Sequence, residues 1–429
     1  MKKNYFLIIL VLAFFSCKKQ KAEINHPPVA HAGNDTAITL PANIINLDGS
    51  RSTDPDNNIT SYQWTKISGP SSPNITNANA SQTQVSNLIQ GVYQFEIKVT
   101  DSGGLMTKDT MQVTVNQQTN TTTVDVYVAG TGYNGSVTVA KYWKNGQAIT
   151  LTDGTKNARA FSIAVVGSDV YVAGGAVNSS GVYVAKYWKN GQAIALTDGT
   201  KDAGAFSIAV VGSDVYVAGT EFNGSVYVDK YWKNGQAISL TDGTKPASQP
   251  SIAVAGNDVY VAGGEVNGAD HVEYWKNGQA ISLTDGTTVA WSTSITVADN
   301  DVYVSGYERK YVGIAKYWKN GQAVALTDGM WEASATDIAV VGSDVYVAGF
   351  ESGAPAGGVA KYWKNGQAIA LTDGTKDAYA QAIAVMGSDV YVIGSEQNVR
   401  TKYWKNGQAI ALAEVTFGDE FLDIVVVKR

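Results

Sequence analysis

The side chains of this chain best equipped to act on a sugar are the carboxylates Glu332, Glu351, Glu396 and Glu420. Two carboxyl groups flanking a glycosidic bond can divide the work of general acid and of nucleophile or base. Nothing in their spacing singles out such a pair. Other routes to catalysis are poorly supplied in the same region. Residues 124–429 hold one histidine, His271, no cysteine, and neither a Ser-His-Asp arrangement nor metal-ligand spacing. Binding is better provided for. Arg159, Trp291, Trp331, Tyr379, Glu420, Tyr307, Arg309 and Tyr311 are aromatic or charged residues that break an otherwise repeated pattern. Aromatic platforms beside charged groups suit stacking on a glycan or a protein hot spot.

The repeated pattern is what must position them. Tyr-Trp-Lys-Asn-Gly begins at Tyr142, Tyr187, Tyr231, Tyr274, Tyr317, Tyr362 and Tyr403, a period of 41 to 45 residues. Each repeat reads as four short β segments, a to d. In the second these are Ser162–Val166, Asp169–Ala173, Val184–Lys189 and Gln192–Leu196. Asn190-Gly191 suits a type I′ hairpin turn and Gly167-Ser168 a type II′ turn. Seven such meanders predict a seven-bladed β-propeller. The chain enters at strand b (Asp125–Ala129) and leaves on a strand-a segment, Leu422–Val427. The last segment should therefore complete the first blade as three strands plus one and remove an exposed edge.

The spacings separate a constant face from a variable one. Strand-a Ile to strand-b Asp is always 6 (Ile163 to Asp169), and c-strand Tyr to d-strand Leu is always 9 (Tyr142 to Leu151). Leu to the next strand-a Ile is always 12 (Leu151 to Ile163), whereas b to c varies in length. The b–c and d–a loops share one face, the usual place for recognition on a rigid scaffold. Eight positions after the d-strand Leu stand Arg159, Gly204, Ser248, Trp291, Ser334, Tyr379 and Glu420, read as a length-matched loop position of free chemistry. Trp331 lies in the same loop as Ser334, and Tyr307, Arg309 and Tyr311 fall in a b–c loop. The seven repeated tryptophans read as core between blades. The repeated lysines (Lys144 to Lys405) read as a solvated basic ring, and the Thr-Asp-Gly aspartates as turn formers.

Residues 27–116 follow another pattern. Pro27-Pro28-Val29-Ala30, Leu47-Asp48-Gly49-Ser50, Asp54-Pro55-Asp56, Tyr62-Gln63-Trp64 and Val99-Thr100-Asp101 accompany alternating Tyr93, Phe95, Ile97 and Val99. Half-buried strands separated by turn clusters suit a sandwich. These motifs resemble the polycystic-kidney-disease (PKD) domain, an Ig-like β-sandwich, with Trp64 as its core tryptophan. The resemblance implies a spacer or adhesive module. Some members bind calcium through acidic loop residues, which makes Asp48, Asp54 and Asp56 a weak candidate for structural calcium, although Asp-Pro-Asp is also ordinary turn chemistry. No other cofactor is expected.

The N-terminus reads as an address. Lys2 and Lys3 precede the apolar run Phe6–Phe15, too short to span a bilayer and laid out as a secretory signal. Cys17, the only cysteine, follows directly and resembles the lipidated cysteine of bacterial lipoproteins of Bacteroidota type. The expected organisation is a signal over 1–17, a tether over 18–26, the sandwich over 27–116, a linker over 117–123 and the propeller over 124–429. The expected protein is an all-β, non-catalytic lipoprotein of the cell envelope, anchored by lipid at the outer membrane. It would bind a glycan or protein on its variable face. The alternatives are a glycan-active hydrolase or lyase using loop carboxylates, and a purely structural adhesion component. A formal charge of −6 argues against nucleic acid as partner.

Overall fold

A computed structural model describes residues 24–40, 42–70, 73–116, 123–265, 271–353, 357–397, 399–410 and 418–429, and among these every regular element is a strand. Cys17, the expected signal and most of the expected tether and linker lie outside the described residues. The chain divides into two compact units, Met1–Thr121 and Thr122–Arg429.

In the first unit Thr36–Thr39, Met106–Asn116, Gly91–Asp101 and Ile59–Ser68 form one sheet in that order, and Ile45–Asp48, Gln82–Ser86 and Asn74–Ile75 form a second. Their inner faces share one core of Leu47, Trp64, Val85, Tyr93, Phe95, Ile97 and Val99, all buried. Gly49 explains the Leu-Asp-Gly motif. A Cβ there would meet Ile97 Cδ1 at 2.0 Å, the Ser81 carbonyl oxygen at 3.2 Å and the Trp64 ring at 3.3 Å, so glycine lets the backbone lie close against the core.

The second unit contains seven four-stranded antiparallel sheets. Six are consecutive meanders. The other joins Val124–Tyr133, Thr138–Lys144 and Gln147–Thr150 to the C-terminal strand Glu420–Lys428, with Ile424 opposite Val128. The three-plus-one closure expected from the ends of the chain is therefore present. Blade 1 is this sheet, and blades 2 to 7 follow in chain order. The a strands pack side by side around the axis, and Glu420–Lys428 lies against both Ala158–Val166 and Ala378–Met386. The ring is closed.

Local chemistry builds each blade. Asn190 and Gly191 have φ of 49° and 83°, as a type I′ turn requires, and Gly167 has φ of 59°. The Gly of Asp-Val-Tyr-Val-x-Gly permits a close approach of backbones. A Cβ on Gly394 would lie 2.0 Å from the Tyr379 carbonyl oxygen, and one on Gly306 2.0 Å from that of Trp291. Between blades, Trp188 is buried with Tyr127, Ala140, Ala158 and Ala160. The equivalent tryptophans, Trp143, Trp232, Trp275, Trp318, Trp363 and Trp404, are likewise at most 2% exposed.

Near the axis, most a strands carry a bulge just before the isoleucine, at Phe161, Phe206, Thr293, Thr336, Gln381 and Leu422. The next side chain reaches the neighbouring blade. Ser162 Oγ accepts from Ile208 N–H (3.3 Å), Ser207 from Ile252 (3.1 Å), Ser251 from Ile295 (3.3 Å) and Asp337 from Ile383 (2.8 Å).

Candidate functional site

The position eight residues after the d-strand leucine is a strand position in every blade but the fourth, where Ser248 precedes the strand Ser251–Ala255. Arg159, Trp291, Ser334, Tyr379 and Glu420 all lie on a strands, paired with Gly175, Tyr307, Phe350, Ser395 and Thr131 of their b strands. Pairing runs further toward the variable face than the apolar pattern indicates. These side chains therefore stand on the innermost strands, fixed by the ladder, and not on independent loops.

Two groups form. Tyr379 and Glu420, on the inner strands of blades 7 and 1, line one cleft of about 390 Å³ with Gln381, Ser395, Gln397 and Phe421. Asp377, Gly394 and Glu396 complete its wall. The Tyr379 ring is 38% exposed and is held edge-on against Phe350, with centroids 4.7 Å apart at 80°. The Glu420 side chain is exposed, and its carboxylate has no hydrogen-bond or ionic partner among the described residues. Glu396 is held by Lys402 at 2.7 Å and Lys376 at 3.5 Å, and Lys402 is the leading cause of its lowered pKa. Asp377 Oδ1 accepts the Gly358 N–H at 2.7 Å. The cleft volume falls in the range of small-molecule sites.

The second group runs from blade 5 to blade 6. Trp291 is half-buried opposite Tyr307, the Arg309 guanidinium lies 5.9 Å from the Tyr307 ring centroid, and Arg309 pairs with Glu332. Glu332 also accepts the Gly313 N–H at 2.9 Å. Trp331, beside Glu332, is 42% exposed, and Tyr311 on the turn is 88% exposed. Arg309 is thus occupied by an ion pair and is not a free charge on the face. Arg159 belongs to neither group. It is exposed on its strand beside Tyr183, whose phenol is pushed up to about 12, chiefly by burial.

The carboxylates considered for catalysis are mostly engaged. Glu351 pairs with Lys361, Glu332 with Arg309, and Glu396 with two lysines, which leaves Glu420. The lysines beside the tight turns are not a free basic ring either. Lys189 Nζ lies 3.0 Å from Asp169 and 5.1 Å from the Tyr171 ring centroid, an arrangement repeated in the other blades, from Lys144 with Asp125 to Lys405 with Asp389. The Thr-Asp-Gly aspartates form turns, as with Asp153 Oδ1 accepting from Thr155 N at 3.0 Å and Oγ1 at 2.8 Å.

Each calcium candidate makes a local contact, although Asp54 Oδ2 stays buried without a hydrogen-bond partner. Asp48 accepts Ser50 N–H, Asp54 accepts Asp56 N–H, and Asp56 pairs with His26 at 3.2 Å. Among the described residues no group of three or more His, Cys, Asp or Glu is placed to hold a metal ion, so Asp48, Asp54 and Asp56 are not assembled into a cage.

Sequence reasoning missed Gln381, Ser395, Gln397 and Phe421. Gln381 had a signal. It stands two residues before the strand-a isoleucine, where other repeats have Phe161, Phe206, Thr293, Thr336 and Leu422. Asp229 was also missed. It replaces the Ala of Ala140, Ala185, Ala315 and Ala360, is fully buried, and neither of its oxygens has a hydrogen-bond partner. Burial drives its pKa upward.

Residues 32–115 match the family described as K319L-like, PKD domain. Over 98 residues, 23% of this chain, the sequence is 40% identical to the mouse "Dyslexia-associated protein KIAA0319-like protein", of whose length the chain spans 9%. The solution structure of the PKD domain from KIAA 1837 protein is 38% identical, covering 21% of this chain and 88% of that one with a TM-score of 0.20. The N-terminal unit is a PKD domain. A quinonprotein alcohol dehydrogenase-like protein from Bacteroides thetaiotaomicron aligns over 92% of this chain and 94% of its own, at 10% identity and a TM-score of 0.34. The seven-bladed ring rests on the strand pairing of the chain itself.

Proposed function

We propose that this protein is a non-catalytic lipoprotein of the cell envelope whose propeller binds a glycan or protein through its b–c and d–a face. The observation that carries this reading is the cleft where Tyr379 and Glu420, two departures from the repeat 41 residues apart, line one cavity. An exposed ring, two amides and an unpaired carboxylate suit a polar, hydroxyl-bearing ligand. Cys17 would carry the lipid at the outer membrane, residues 18–26 a tether, and the PKD domain a spacing or adhesive role. A hydrolase reading has less support, because Glu332, Glu351 and Glu396 are each neutralised by a cation.

Glycan-array and pull-down binding by the full chain, repeated with Tyr379→Ala, Glu420→Gln and Trp331→Ala, tests the site. Binding weakened in the first two variants and kept in the third is expected. Binding unchanged in all three would overturn the assignment, and polysaccharide turnover lost in Glu420→Gln would favour the enzyme. Radiolabelled acyl incorporation, present in the wild type and absent in Cys17→Ala, tests anchoring. Labelling that persists in Cys17→Ala would refute it.

A further inference from the structure

The walls of the blade 7–blade 1 cleft are unbalanced in charge. Three acidic residues line it, Asp377, Glu396 and Glu420, together with Gln381, Gln397, Ser395 and Tyr379, and Phe421 borders it with its ring buried against Trp143. No lysine or arginine is among these lining residues. Lys376 and Lys402 reach Glu396 but do not line the cleft, and Asp377 is drawn to the Gly358 N–H. One full negative charge, that of Glu420, is left without a partner among the described residues.

We propose that this cleft selects a saccharide bearing a free ammonium group, an amino sugar, with Glu420 taking the ammonium and Tyr379 the ring face. The inference rests on the cleft being the binding site and adds the class of ligand. Three physical arguments converge on it. A carboxylate meeting an ammonium makes a charge-assisted hydrogen bond, about twice as strong as a neutral one. The exposed Tyr379 face attracts both the apolar face of a sugar and a nearby cation. Acidic saccharides are disfavoured, since their carboxylates would meet Glu420 and Asp377, while the lysines nearest among the described residues, Lys376 and Lys402, are already paired with Glu396. Gln381 and Gln397 offer both donors and acceptors to hydroxyl groups. The other group of departures lacks this character, because Arg309 and Glu332 neutralise each other there.

The test is calorimetric titration of the full chain with glucosamine oligomers, their N-acetylated counterparts, an oligouronate and an oligolysine at matched ionic strength. Glucosamine oligomers are expected to bind at least about tenfold tighter than the acetylated series, a difference of about 1.4 kcal/mol. Glu420→Gln should abolish that preference, and Tyr379→Ala should weaken every saccharide. The melting temperatures of both variants report whether folding is intact. Equal binding of acetylated and free oligomers, lost in Tyr379→Ala, would overturn the ammonium selection and leave the cleft standing as the site. Oligolysine binding as tightly as the oligosaccharide would overturn the sugar assignment. Binding of no saccharide, or binding indifferent to both substitutions, would overturn this inference and the site together.

Discussion

Asp423 Oδ2, on the last strand of the chain, accepts the backbone N–H of Ile163 at 2.8 Å, across 260 positions of sequence. The contact joins the strand that completes blade 1 to the inner strand of blade 2. It belongs to the series in which Ser162, Ser207, Ser251 and Asp337 each reach the following blade. Deleting residues 420–429 should therefore do more than remove one strand. It exposes the edge of Val124–Tyr133, with its unpaired backbone groups, and frees the blade 2 contact. Size-exclusion chromatography of the truncated chain should show self-association. A monomer with wild-type stability would contradict the closure.

The same residue predicts how stability changes with pH. Burial, aided by the charge of Asp337, pushes the Asp423 carboxyl up to about 7, and burial also raises Asp337 and Asp229. Between the ordinary carboxylate range and about 7 the folded state holds protons that the unfolded state releases, so stability falls as pH rises through that window. Asp125 acts in the opposite sense. Hydrogen bonds from Asn145 and Arg429 hold it at about 2, and its contribution disappears as pH falls through that value. Thermal melts should show a higher Tm at pH 5 than at pH 8, with the difference reduced in Asp423→Asn. An unchanged difference in that variant would remove Asp423 as its source.

Two tryptophans should behave oppositely. Trp318 is 1% exposed between blades and Trp331 is 42% exposed on the variable face. Trp318→Ala should destabilise by about 3–5 kcal/mol through a cavity between blades. Trp331→Ala should stay within about 0.5 kcal/mol. Urea denaturation measures both.

The lysines of the tight-turn face should matter little. Lys189→Ala breaks a pair with Asp169 that is 42% and 37% exposed, which is worth at most about 1 kcal/mol. Ligand affinity should be unaffected, since this face lies opposite the cleft. A loss of affinity would point to docking on the tight-turn side.

Much of the ring was legible because its signals are local. Asn190-Gly191 demands positive φ wherever it occurs, and the constant spacing from Ile163 to Asp169 measures a hairpin directly. The PKD core around Trp64 was legible for the same reason, since Tyr93, Phe95, Ile97 and Val99 alternate in one strand. The site was less legible. Small residues such as Ala158 and Ala160 hide the outer half of the inner strand, and the bulge at Phe161 breaks its alternation, so Arg159 reads as loop. Gln381 and Glu420 share one cleft only because the ring closes, a relationship that no local pattern encodes. The ion pairs that occupy Arg309 and the repeated lysines likewise depend on register across strands.

On the proposed reading, recognition belongs to the departures from the repeat and not to the repeat itself. Hydrogen exchange of the full chain, with and without the tightest saccharide found, tests it most directly. Protection is expected in residues 377–381, 394–397 and 420–421, the segments that wall the cleft. Protection confined to the Asn-Gly turns at Asn145, Asn190 and their equivalents, with the cleft segments unchanged, would contradict it.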